Sequence, residues 1–174
     1  MDEITACTPV SLDSRGFNNK VILPCGLTTL HIKKGMADFL DFLGFLNQQL
    51  NTRRLPRLES FLMPANFSSM VGEFMSATIP KYCRSLAKNT YHNGHPDLVP
   101  AGKYERNAVQ HGTEGIEIKA SRHGRGWQGH NAEDAWLMVF VFDANSSRDA
   151  SKGIASKPFR FLKVVGAQLA KSDW

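Results

Sequence analysis

Ala135-Trp136-Leu137-Met138-Val139-Phe140-Val141-Phe142 is an uninterrupted apolar run, and no other feature constrains the fold of this chain as tightly. A strand buried on both faces needs an apolar side chain at every position, whereas a half-exposed strand or a surface helix needs polar ones at intervals. The run predicts a central sheet strand. It is the longest apolar stretch in the chain and falls far short of the roughly 20 residues that cross a bilayer, so no transmembrane helix is expected.

Further strands are expected at Asp97-Leu98-Val99, at Gly115-Ile116-Glu117-Ile118-Lys119-Ala120, and at Phe159–Val165, where the interleaved Arg160 and Lys163 suit a sheet edge. Lys20-Val21-Ile22-Leu23 reads as one small strand. Upstream the texture is helical: Met36, Phe39, Leu40, Phe42, Leu43, Leu46 and Leu50 recur at three and four residues, the period of an amphipathic helix. A second helix is expected from Ser68 to Ala77, with Ser68 or Ser69 as its cap and Met70, Val71, Phe74 and Met75 on its apolar side, and Pro80 starts a new helical turn. Between the helices, Arg53, Arg54, Pro56 and Arg57 form a basic, proline-broken connection. Helices first and a mixed sheet after make an α/β (α+β) fold, with a mostly helical N-terminal region over residues 1–60 packed on a core over 61–174.

Twenty-one Lys and Arg against sixteen Asp and Glu leave a net charge of +5, and beyond Ala144 the bias sharpens to six basic residues against two acidic ones. That asymmetry favours a polyanionic partner. Cys7, Cys25 and Cys83 are odd in number and too widely spaced for a CxxC pair or a zinc knuckle, which excludes a disulfide-stapled framework. Met1-Asp2-Glu3-Ile4 is acidic where a secretory signal is basic, so a cytoplasmic protein is expected.

The chemistry concentrates in Ile116-Glu117-Ile118-Lys119. Side chains alternate along a strand, so Ile116 and Ile118 face the core while Glu117 and Lys119 project together on the other side, about 6 to 7 Å apart. Pro96-Asp97 opens the preceding strand. If the two strands pair, Asp97 and Glu117 converge on a hard divalent cation such as Mg²⁺, with Lys119 beside the metal-bound water. The chain holds a single Pro-Asp and a single acid-x-Lys triplet, in that order.

Pro96-Asp97 followed by Glu117-x-Lys119 resembles the active-site signature of the PD-(D/E)XK nucleases, the superfamily of most type II restriction endonucleases and many repair nucleases, over about Ser68 to Phe142. The resemblance implies a restriction-endonuclease-like mixed sheet flanked by helices. It also implies that Asp97 and Glu117 ligate Mg²⁺, for which Mn²⁺ can substitute, and that Lys119 orients or deprotonates the attacking water. Glu73, in the helix before the sheet, would support the metal or its waters. The substrate would be duplex DNA and the assembly a homodimer, in a prokaryotic cytoplasm.

The segment after the strand mixes donors for phosphates and base edges with glycines that permit close approach. Arg122, Arg125, Trp127, Gln128, His130 and Asn131 are therefore the candidate DNA contacts. His130-Asn131 does not make an HNH site, because no histidine follows. Cys83, His92 and His95 lack the fourth ligand of a zinc module, and the two histidines read as turn residues. Two rivals to a restriction enzyme are a structure-specific repair or recombination nuclease of the same fold and a non-catalytic DNA-binding module.

Overall fold

The apolar run becomes the fourth strand of a five-stranded sheet in a computed structural model that describes residues 2–125 and 134–173. Among the described residues, four helices come first: α1 (Glu3–Ala6), α2 (Thr29–Thr52), α3 (Leu58–Phe61) and α4 (Pro64–Tyr82). Five strands follow: β1 (Leu86–Lys88), β2 (Leu98–Pro100), β3 (Ile116–Ser121), β4 (Ala135–Asp143) and β5 (Arg160–Leu169). This is an α+β arrangement with a mixed sheet, in the order β1-β2-β3-β4-β5. Only β3 and β4 run parallel.

Alternation along β4 sorts its side chains into two layers. Met138, Phe140 and Phe142 pack with Ile116 and Ile118 of β3 against Phe39, Leu43, Phe67, Val71 and Met75 of α2 and α4. Leu137, Val139 and Val141 form a smaller cluster on the opposite face. Glu117 and Lys119 stand level with Leu137 and Val139 in the parallel register, so they belong to that second face. β5 is an edge strand, and the Trp136 ring lies across its Gly166, where a Cβ would come within 2.2 Å of the ring.

The N-terminus of α2 is closed by a capping box, in which Thr28 Oγ1 accepts from the His31 amide and His31 Nδ1 accepts from the Thr28 amide, both at 3.3 Å. The helix buries Ile32, Met36, Phe39, Leu40 and Leu43 in the core that α4 and the sheet also build, so residues 1–60 and 61–174 share one core. At the crossing of α2 and α4, the ring of Phe39 meets that of Phe74 edge-on at 5.3 Å.

Three local expectations are corrected. α4 begins at Pro64, four residues before Ser68, so Ser68 and Ser69 lie inside the helix and are not its cap; proline suits the first helical position because no amide is needed there. Pro80 sits in the last turn of α4 and opens no new one. Residues 20–23 form no strand, and Ile22 is 93% exposed: an apolar run with no neighbouring strand gains neither a ladder nor burial. No helix among the described residues is long and apolar enough to cross a membrane.

Candidate active site

Asp97 is delivered to β3 by a loop with Asn89 at its centre. The Asn89 amide donates to the Asp97 carbonyl at 2.8 Å, and its side-chain Nδ2 donates to the Pro96 carbonyl at 3.0 Å and the Val109 carbonyl at 2.8 Å. Asn89 Oδ1 accepts from the amides of Tyr91 and Val109, both at 3.1 Å. One buried side chain thus fixes both flanks of the loop. Gly115, at φ +139°, brings the chain into β3 so close to β2 that a Cβ would lie 2.1 Å from the Leu98 carbonyl oxygen. No other residue fits there without moving one strand off the other.

β2 and β3 pair only at Leu98 and Ile116. Beyond that point β3 has an open flank, and Asp97 occupies it: its Oδ2 accepts the Ile118 amide at 2.7 Å. α4 crosses the same flank. Between them lies a cleft of about 280 Å³, walled by Ser68, Ser69, Gly72 and Glu73 on one side and by Asp97, Glu117 and Lys119 on the other. The four residues expected to act together therefore line one cavity.

The carboxylate of Glu117 is held at both oxygens. His95 Nδ1 lies 2.9 Å from Oε2, and Lys119 Nζ lies 3.2 Å from Oε1. Burial pushes this carboxyl up, but the His95 hydrogen bond and the Lys119 charge outweigh it and hold Glu117 below the usual carboxylate range. Asp97 has the opposite fate. Burial, then the neighbouring Glu117 charge, pushes it up to about 7 against the opposing Ile118 amide. Two adjacent carboxyl groups in a recess, one ionised and one resisting ionisation, form a site that a dication relieves.

No group of three or more His, Cys, Asp or Glu side chains stands ready to enclose a metal among the described residues. Mg²⁺ needs no such cage. It is held through one or two carboxylates together with water and substrate phosphate, and the donors Asp97 and Glu117 are of the hard oxygen type it selects. The residues present fit the ion.

The raised Asp97 carboxyl has a measurable consequence. The folded chain keeps a proton that the unfolded chain, with an ordinary aspartate pKa near 3.9, has released, so the contribution of this group is complete below about pH 4 and is lost as pH rises to about 7. Glu3, Asp143 and Asp149 are held below their ordinary range, so their stabilising contributions are already in place by pH 5. The metal-free chain should therefore melt at a lower temperature at pH 8 than at pH 5. Mg²⁺ should recover the difference at pH 8, and Asp97→Asn should flatten the profile. A metal-free melting temperature equally high at both pH values would contradict this account of Asp97.

The other expected residues divide. Glu73 lines the cleft from α4, with its carboxylate 2.6 Å from Lys88 Nζ on β1. Arg125 is exposed. Arg122, expected as a DNA contact, is turned inward: Nη1 donates to the Ala144 carbonyl at 2.5 Å, Nη2 donates to the carbonyls of Asn145 and Glu59, and the guanidinium lies over the rings of Phe67 and Phe142. These backbone oxygens use its donors to join the end of β3 to α3 and β4, so the correction is from surface contact to internal tie. Trp127, Gln128, His130 and Asn131 lie outside the described residues.

His95, a turn residue on sequence grounds, joins the site through Glu117. The available signal was its position two residues before Asp97. Compared with known family models, curated proteins and solved structures, the chain matches none.

Proposed function

We propose that this protein is a Mg²⁺-dependent endodeoxyribonuclease of the PD-(D/E)XK kind, acting in the cytoplasm as a type II restriction enzyme on duplex DNA. The observation that carries the reading is the convergence of Asp97, Glu117 and Lys119 on one cleft with Glu73 on its opposite wall. Phosphodiester hydrolysis needs an in-line water, a means of activating it, and positive charge where the phosphorane develops. Bound Mg²⁺ supplies Lewis-acid charge and a more acidic water. Asp97 and Glu117 would hold the ion. Glu117, gripped by His95 on one oxygen, presents the other toward Lys119, so the Lys119 ammonium is fixed beside the site of the reacting water, able to orient it as a hydrogen-bond donor and to offset the negative charge that develops on the phosphate. Burial keeps bulk water from screening these charges.

Incubation of supercoiled plasmid with the protein and Mg²⁺, followed by sequencing of the ends, tests the reading. Discrete fragments with fixed termini are expected. Cutting only at branched or damaged DNA would move the assignment to a repair or recombination nuclease, and intact plasmid would leave no nuclease. Mn²⁺ should replace Mg²⁺. Ca²⁺ should support binding without cleavage, because it takes the same oxygens at longer and looser distances and activates water poorly. Full activity in excess EDTA would end the metal-dependent reading.

One set of Asp97, Glu117 and Lys119 hydrolyses one strand at a time, so a double-strand break is made most simply by two copies about a two-fold axis. Light scattering should find two chains per duplex. A stable one-to-one complex that still breaks both strands would establish sequential nicking by a monomer.

A further inference from the structure

The connection from α2 to α4 has a surface that the cleft does not use. Arg53 and Arg54 are exposed, Leu55 is 44% exposed, Phe61 at the end of the short α3 is 56% exposed, and Met63 beyond it is 65% exposed. From Asn51 to Gly72 the one acidic residue is Glu59, and it is fully buried against Arg57. Two acids face this connection across a cavity: Glu3, paired with Arg57 at 2.8 Å, and Asp149, held by the Ser146 amide at 2.9 Å and the Ser146 hydroxyl at 2.8 Å. Within residues 51–72, large apolar side chains are therefore exposed together with two arginines and no exposed acid. That composition matches a polyanion carrying apolar faces.

Position identifies the polyanion. Met63 is the N-cap of α4, and Ser68 and Ser69 of the same helix line the cleft. At 1.5 Å per residue the two are about 9 Å apart along the axis, within about three nucleotides at the 3.4 Å rise of one DNA strand. Arg122, which follows β3, reaches the Glu59 carbonyl of α3 and so fixes this connection to the end of the site strand.

We infer that residues 53–66 form a DNA-contacting surface flanking the cleft, in which Arg53 and Arg54 neutralise backbone phosphates and Phe61 and Met63 lie against a base step. This rests on the nuclease reading for the placement of the strand. A wedge of Phe and Met beside basic residues is a known means of unstacking and bending duplex DNA, and here it would present the adjoining phosphate to Lys119.

The test is fluorescence anisotropy of a labelled duplex in EDTA, where cleavage cannot intervene, across a range of salt concentrations. Each phosphate neutralised contributes about 0.9 to the log–log salt slope. Arg53→Gln with Arg54→Gln should lower the slope by about 2, and Arg53→Gln alone by about 1. Phe61→Ala with Met63→Ala should weaken binding about tenfold with the slope unchanged. All four side chains are exposed, and hydrolysis of a small phosphodiester lacking bases, with Mg²⁺, should stay at the parental rate in every variant. An unchanged slope in both arginine variants overturns the inference, as does a duplex that the parent does not bind. A parent that binds DNA with the expected slopes yet hydrolyses neither DNA nor the small diester overturns the nuclease reading and leaves the surface standing.

Discussion

Glu117→Ala should reduce DNA cleavage at least a hundredfold while leaving the chain folded. Losing a metal ligand removes several kcal/mol of transition-state stabilisation, and each 1.36 kcal/mol is about a factor of ten in rate. Among the described residues the Glu117 carboxylate meets the side chains of His95 and Lys119 and no backbone group, so its removal leaves the β-ladder whole. Lys119→Ala should behave similarly, since among the described residues its ammonium meets Glu117 and no backbone group. Asp97 is different. A solvent-facing aspartate could be replaced by alanine without structural cost, but this one is half-buried and accepts the amide of the buried Ile118, and an orphaned buried N–H costs about 1 to 3 kcal/mol. Asp97→Asn keeps an acceptor on that amide while removing the ligand charge, and it should abolish cleavage with β3 intact. Single-turnover cleavage rates alongside thermal melts separate the two effects. If Glu117→Ala cuts at the parental rate, the cleft is not the active site.

The difference between Glu117 and Asp97 marks where the sequence was informative. Period-two alternation in Ile116-Glu117-Ile118-Lys119 assigns faces directly, and β3 keeps that assignment because its two isoleucines have a core to enter. The unbroken apolar run of β4 and the charged alternation of β5 were legible for the same reason: burial and exposure are written in side-chain polarity. β1 was not, since three residues, Leu86-Ala87-Lys88, carry too little pattern, and their pairing depends on β2. His95 was legible only as a neighbour of Asp97 two residues on, since its contact with Glu117, twenty-two positions later, depends on how the loop folds. Arg57 stands in a basic, proline-broken connection with Arg53 and Arg54, and polarity alone does not distinguish it from them. Its burial depends on partners far away in the chain.

Those partners make Arg57 and Glu59 the pair whose loss should destabilise the fold most. Arg57 is 2% exposed. Its Nε donates to Glu3 Oε1 at 2.8 Å, Nη1 to Glu59 Oε1 at 2.6 Å and to the Lys157 carbonyl at 2.8 Å, and Nη2 to Asn145 Oδ1 at 2.8 Å. Glu59 Oε2 accepts from Asn47 of α2 at 3.0 Å. One guanidinium therefore joins α1, α3 and the connection between β4 and β5, and its counter-charge adds α2. Removing one member of a buried pair strands the other without compensation, at about 3 to 5 kcal/mol, a large share of the 5 to 15 kcal/mol that holds most domains together. Glu59→Ala should show that loss in full, because Glu3 is half-exposed and its attraction for Arg57 is screened by water. Replacing both, as Arg57→Met with Glu59→Leu, removes the charges together and should restore part of the loss, since an apolar pair of similar volume needs no counter-ion. Cleavage by Glu59→Ala, measured well below its melting temperature, should stay near parental, because neither side chain enters the cleft. Urea denaturation of the two single variants and the double variant decides the point: a single substitution costing under about 1 kcal/mol would mean that water reaches this network and the charges are not buried together.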